Sequence, residues 1–219
     1  TVLQATGEFD AGPVWAWRAL PLRDDATKAS LYRHEITRAA VDAVIEAIGR
    51  FQPGASGPAS PPALPALHGG WQGPVPAARR AIDWSRDDSG TVLRKIRSAD
   101  GHPGIADALF DQPCRLHDAH PATAATLARA PAGAAGEVVA KRGPALLRRT
   151  VDGAVWIGHV RVEARGDRPA LKLAATRAFA DACATLPELD VPLLRDAGDW
   201  EELHYAETGQ QGARVGWLR

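Results

Sequence analysis

A chain of 219 residues with 45% hydrophobic and 24% charged side chains has the make-up of a globular protein with room for one or two cored domains. Its 26 basic and 26 acidic residues cancel, so no overall field draws it to nucleic acid or to an anionic membrane. Two cysteines, Cys114 and Cys183, are too few for a disulfide framework and fit a reducing compartment. No apolar run approaches the ~20 residues of a membrane span and no basic-then-apolar signal segment is present, so a cytoplasmic protein is expected. The chain contains no methionine and opens on Thr1-Val2-Leu3, already strand-like. Both ends are therefore expected to be cuts through a longer enzyme.

Two short apolar runs, Val2–Leu3 and Val14-Trp15-Ala16, flank a turn that holds Asp10. Runs this short, bounded by turn residues, read as strands, and the second is expected to continue to about residue 22. Gly12 allows a sharp turn and Pro13 fixes the next dihedral. An acid held there is either an ordinary turn residue or well placed to orient or take a proton. After N-cap candidates in Asp24-Asp25-Ala26-Thr27, a helix is expected over about 28–50, burying Val41, Val44, Ile45 and Ile48 at i, i+3, i+4 and i+7. Strand, loop, strand, helix is the closing piece of an α/β sheet whose other strands are missing here.

Residues 53–76 are Pro-, Gly- and Ala-rich and read as a surface linker, with Trp71 beside His68-Gly69-Gly70 as an anchor or a ligand-facing ring. Beyond it, Ser89 is the expected cap of a helix over about 90–99, with Val92 and Ile96 buried and Gly101 as the stop. Arg79, Arg80, Arg86, Arg94, Lys95 and Arg97 cluster here. Asp83, Asp87, Asp88 and Asp100 dilute them and no aromatics interleave, which argues against RNA binding.

Strand-like runs follow at 105–110, 114–119, 137–140, 146–151, 154–163 and 171–173, with Asp152-Gly153 as a hairpin turn. Such spacing suggests a small barrel or curled sheet, with the Ala/Pro-rich stretch 121–135 as a loop. Cys114-Arg-Leu-His117-Asp-Ala-His120 has the look of a ligand set. On a strand, Cys114 and His120 would share one face and His117 the other, a poor basis for a tetrahedral metal site, so no metal is expected. An Ala-rich helix is expected over 175–186, and a hairpin over 204–218.

The string from Thr1 to Ala16 resembles the segment of folate-dependent formyltransferases that carries the Asp of their Asn/His/Asp catalytic set. Ala81-Ile-Asp-Trp-Ser85 followed by Ile96-Arg-Ser-Ala-Asp-Gly-His-Pro-Gly104 resembles the entry to the C-terminal domain of methionyl-tRNA formyltransferase. The chain is more specifically similar to the formyltransferase-like proteins of hydrogenase maturation. The carrying motifs are Asp10 to Ala16, Lys28 to Arg33, Ala154 to Arg161 and Leu171 to Thr176. The resemblance implies an α+β chain. Residues 1–52 would end a formyltransferase catalytic sheet, and 53–78 would be a linker. Residues 79–186 would form an open oligonucleotide-binding-like barrel with short helices, and 187–219 a linker and the first hairpin of a crotonase-like domain.

The same resemblance implies a mechanism for the longer protein. Its His handles the proton, its Asn steadies the oxyanion and its Asp orients the His. Asp10 alone is carried over as catalytic; His34, His68 and His102 stand in the wrong motif context to replace the His. The implied donor is 10-formyl-tetrahydrofolate and the implied acceptor a coenzyme A thiol. Carbon monoxide for a nickel–iron hydrogenase would be released downstream, with hydrogenase maturation proteins as partners. This chain alone is expected to be inactive. A methionyl-tRNA or sugar-amine formyltransferase, and a non-catalytic docking module, remain the alternatives.

Overall fold

The computed structural model describes residues 1–8, 12–58, 73–163 and 170–191, together with strand backbone at 206–207 and 214–215. At the N-terminus, β1 (Val2–Leu3) pairs antiparallel with β2 (Val14–Ala16). The second strand stops at Ala16 rather than near residue 22: Ala16 pairs with Val2, the first residue of β1. Thr27 caps the helix that follows through a reciprocal capping box with Ser30. The expected helix forms as α1 (Lys28–Leu31), a π-helical turn (Tyr32–Ile36) and α2 (Thr37–Phe51) in one run. The Thr37 hydroxyl donates to Tyr32 O at 2.5 Å across the π turn.

The buried face of α2 is not the expected one. Ala43 and Ala47 pack with Ala16 of β2, whereas Val41, Val44, Ile45 and Ile48 are 46% to 64% exposed. Two strands of two and three residues admit only the small side chains. The two-stranded β1–β2 pair is too narrow to receive the larger stripe.

The C-terminal unit is better packed. Short α3 (Ala77–Arg80) leads to α4 (Ser89–Ala99), which buries Val92, Leu93, Ile96 and Ala99 and ends at Gly101, φ +89°. Its cap is Asp88, one residue earlier than expected: Asp88 Oδ1 accepts from Thr91 N at 2.6 Å. Ser89 instead donates through its backbone and hydroxyl to Asp152 Oδ1, both at 2.8 Å, tying the helix to a distant turn.

All six expected runs are strands of one antiparallel sheet. They are β3 (Ile105–Leu109), β4 (Gln112–Pro121), β5 (Val138–Arg142), β6 (Ala145–Arg149), β7 (Ala154–Val162) and β8 (Lys172–Ala174), ordered β3-β4-β7-β6-β5, with β8 also on β7. Along one edge β7 meets β4; along the other its first half meets β6 and its second half β8. The Asp152-Gly153 turn joins β6 to β7, with Thr150 N donating to Gly153 O at 3.0 Å. Edge strands β3 and β5 do not pair, so the described sheet is open and no barrel closes.

One face of this sheet packs on α4, Phe179 and Cys183; the other carries Trp156, Leu147 and Ala140 beneath Leu189 and Val191. Stretch 121–135, expected as a loop, contains α5 (Ala124–Arg129), whose cap Thr123 Oγ1 accepts from Thr126 N. Ala-rich 175–186 forms only the short α6 (Ala175–Ala178) before turns, because Phe179 and Cys183 turn inward to the core and override helix propensity. Residues 187–189 run along β5: Lys141 N donates to Pro187 O and Leu189 N to Lys141 O, both at 2.9 Å. Farther on, β9 (Ala206–Glu207) and β10 (Arg214–Val215) pair antiparallel, within the expected hairpin.

Candidate functional site

Asp10 lies outside the described residues, as do His68 and Trp71, but the frame of its loop is described. Gln4 N donates to Pro13 O at 2.9 Å and Trp15 Nε1 to Gln4 Oε1 at 3.3 Å, which closes the base of the β1–β2 connection. A Cβ at Gly12 would stand 1.9 Å from Gln4 O, so the turn has no room for a side chain there. The sequence read Gly12 as conformational freedom; the structure makes it a close backbone approach.

The densest polar constellation is elsewhere, where β4 crosses β7. Asp118 has φ +55° and is skipped in the pairing, which runs from His117↔His159 to Ala119↔Ile157. Asp118 stands opposite Gly158 with the register unchanged on either side, and the alternation of β4 breaks at this irregular, unpaired position. Cys114, Leu116 and Ala119 therefore all face the core, while His117 and His120 leave on the other side. The expected sharing of a face by Cys114 and His120 is corrected by the left-handed backbone of Asp118, which breaks the alternation without shifting the register.

Opposite Asp118, Gly158 lacks the Cβ that would stand 2.3 Å from Asp118 Oδ2, and the carboxylate lies over the strand. It accepts from His120 Nε2 at 2.7 Å and from His159 Nδ1 at 2.6 Å. Burial alone would raise the Asp118 carboxyl, but these hydrogen bonds and the imidazole charges outweigh it and hold the group far below the usual carboxylate range. Asp100 sits alongside, accepting from Asp118 N at 3.3 Å, with His117 Nδ1 at 3.5 Å and Lys172 Nζ at 3.6 Å. Burial opposes its ionisation, and His117, Lys172 and the Asp118 N–H reverse that, leaving its carboxyl below the ordinary value. His117 is 1% exposed.

A carboxyl depressed in the fold stabilises it above the unfolded value and loses that contribution as pH falls through the folded one. Wild-type stability is therefore expected to drop as the pH falls below about 4. Asp118→Asn should be less stable at neutral pH and show a shallower acid slope, read as urea midpoint against pH. Parallel slopes in the two proteins would refute the coupling.

A second cluster joins the sheet to the entry segment. Arg148, on β6, donates Nε to Gly136 O at 2.7 Å and Nη1 to Asp107 Oδ1 at 3.1 Å, with its guanidinium carbon 3.8 Å from the Trp84 ring centroid. Trp84 Nε1 completes the set by donating to Asp107 Oδ2 at 2.8 Å. Burial, with Asp107 nearby, pushes the Cys114 thiol up to about 11, which makes it a core residue rather than a nucleophile.

Residues 75–176 match the family described as formyl transferase, C-terminal domain. Over 216 residues, 97% of its length, the chain is 44% identical to the hydrogenase maturation factor HoxX of Bradyrhizobium diazoefficiens. Along nearly its whole length the chain is similar to this maturation factor. Crystal structures of HypX from Aquifex aeolicus superpose on 94% of it. A four-site variant is 32% identical and a complex with tetrahydrofolic acid 33% identical, each at a TM-score of 0.73. The chain spans about a third of these proteins: 34% of HoxX, and 35% and 34% of the two HypX chains.

Several cations of the entry segment are spent locally. Lys95 Nζ reaches Ala81 O at 2.7 Å and Asp87, Arg94 Nη2 reaches Thr91 Oγ1 at 2.7 Å, and Arg97 Nη1 reaches Asp24 O at 3.0 Å. Among the described residues no three His, Cys, Asp or Glu side chains are arranged to hold a metal, and no helix is long and apolar enough to cross a membrane. Sequence reasoning missed Asp100, Asp118, His159 and Lys172 as a group. The one local signal was the broken alternation at His117-Asp118-Ala119.

Proposed function

We propose that this chain belongs to a folate-dependent formyl-transfer enzyme of hydrogenase maturation, supplying the end of its catalytic domain and the C-terminal domain behind it. The observation that carries the reading is the unbroken match: one relative, a hydrogenase maturation factor, aligns with 97% of the chain, through both the Asp10 loop and the C-terminal sheet. That the similar HypX was solved with tetrahydrofolic acid supports a folate donor. In this reading 10-formyl-tetrahydrofolate gives its formyl group to a coenzyme A thiol, and a downstream crotonase-like part, beginning near β9 and β10, releases carbon monoxide for a nickel–iron hydrogenase. The protein acts in the cytoplasm beside other maturation proteins, which two free buried cysteines suit.

Asp10 orients a histidine that takes the proton of the attacking thiol, so that the imidazole is basic where charge develops. Asp10→Asn and Asp10→Ala in the longer protein are expected to lower formyl transfer roughly 10²–10⁴-fold with an unchanged circular dichroism spectrum. An unaltered rate in both variants would instead favour a docking module with Asp10 as a turn residue. The 219-residue chain by itself is expected to turn over no formyl-tetrahydrofolate.

A further inference from the structure

Three cations stand in one line across the C-terminal sheet. Ala106 of β3 is in register with Arg115 of β4, Arg115 with Arg161 of β7, and Arg161 with Lys172 of β8. Directly paired residues of antiparallel strands project from one face. Neighbouring strands lie ~4.8 Å apart, so the three cations span roughly 10 Å at the backbone. The next pair along, Leu116 and Val160, is fully buried in the core, which leaves the cation row on the opposite face.

Like charges placed directly opposite one another destabilise a sheet, and here two such pairs follow in succession. The described structure does little to offset them. Lys172 Nζ lies 3.6 Å from Asp100 Oδ1, a carboxylate already shared with Asp118 N and His117. Arg161 Nη2 makes one long bond, 3.4 Å, to Pro103 O. Arg115 has no hydrogen bond or ion pair among the described residues. Asp118 is committed to His120 and His159, and exposed Glu163, just past the end of β7, pairs with none of the three. Most of the five N–H donors on each guanidinium are thus unused. Small residues border the row, Ala106 at one end and Ala174 two positions along β8, while His117 and His159 stand two positions along β4 and β7.

We propose that Arg115, Arg161 and Lys172 form a subsite for a phosphate or diphosphate group carried by a small ligand. Two planar forks match phosphate oxygens bidentately and the ammonium adds a point charge. A row of roughly 10 Å suits one or two phosphates. It is bounded by Asp100 and Asp118, which would repel a longer polyanion running past it. The subsite does not rest on the identity of the formyl acceptor.

Titration calorimetry of the 219-residue chain with inorganic pyrophosphate at low ionic strength tests it. Saturable binding is expected, weakened at least tenfold in Arg161→Gln and in Arg115→Gln and unchanged in Arg38→Gln on α2. Pyrophosphate should also raise the melting temperature of wild type and not of Arg161→Gln. Ligand-free, that variant should melt no lower than wild type, because it relieves the repulsion. Binding that survives both substitutions, or a melting shift that sodium chloride of equal ionic strength reproduces, would overturn the subsite. An oligoribonucleotide binding far more tightly through the same residues would overturn its assignment to a small ligand.

Discussion

Arg148→Ala is expected to lower the free energy of unfolding by about 3–5 kcal/mol, the range found when one partner of a buried ion pair is removed. The Arg148 and Asp107 side chains are only 9% and 11% exposed, so water cannot replace what is lost. Truncation leaves the Asp107 carboxylate with Trp84 Nε1 as its remaining side-chain donor. Gly136 O loses its donor from Arg148 Nε, and Trp84 loses the guanidinium stacked on its ring. Three separate segments come together at this one side chain: the entry turn at Trp84, the edge strand β3 and β6 itself. Urea denaturation of wild type and variant measures the effect, and a loss below about 1 kcal/mol would place the pair among surface-like interactions. If Arg148→Ala does not fold, Asp107→Leu with Arg148→Met keeps the question open to measurement. Replacing both partners by apolar groups should recover much of the stability.

Gly104→Ala is the second large effect expected, at about 2–5 kcal/mol from two sources. Gly104 has φ +77°, a conformation that costs an L-residue roughly 1–2 kcal/mol. Its added Cβ would also stand 2.5 Å from both Cε1 and Nε2 of His117 and 3.1 Å from Arg115 Cβ. His117 is 1% exposed and cannot swing away, so the turn or the ring must shift, at a further ~1–3 kcal/mol. The contact makes a specific signature available. Combined with His117→Ala, which vacates the ring's space, Gly104→Ala should cost clearly less than the sum of the single changes. Additive losses would mean that backbone strain alone explains the glycine.

Much of this architecture was legible in the residues themselves. Helix 28–51, the helix ending at Gly101, all six strands and the Asp152-Gly153 turn are written in periods of 3.6 and 2 and in turn chemistry. These depend on neighbours within a few positions, and Thr27 with Ser30 closes a capping box inside four residues. The likeness to formyltransferases was legible for the same reason, since its motifs are short contiguous strings. Where local preference met packing, it gave way. The Ala-rich stretch after residue 178 leaves the helix so that Phe179 and Cys183 can enter the core, and the α2 stripe stays exposed because the β1–β2 pair is too narrow to receive it.

The sequence by itself therefore determined which segments become helix or strand, and which family of chains this one resembles. Only the tertiary structure decided what those segments bring together. Arg148 meets Asp107 across 41 positions and His159 meets Asp118 across the same separation. The Arg115, Arg161 and Lys172 row exists only once β4, β7 and β8 are in register. The contact of Asp118, in left-handed backbone, with Gly158 on the facing strand exists only because β4 and β7 pair in this register. Register is a property of paired strands, and a shift of one residue sends every later side chain to the other face.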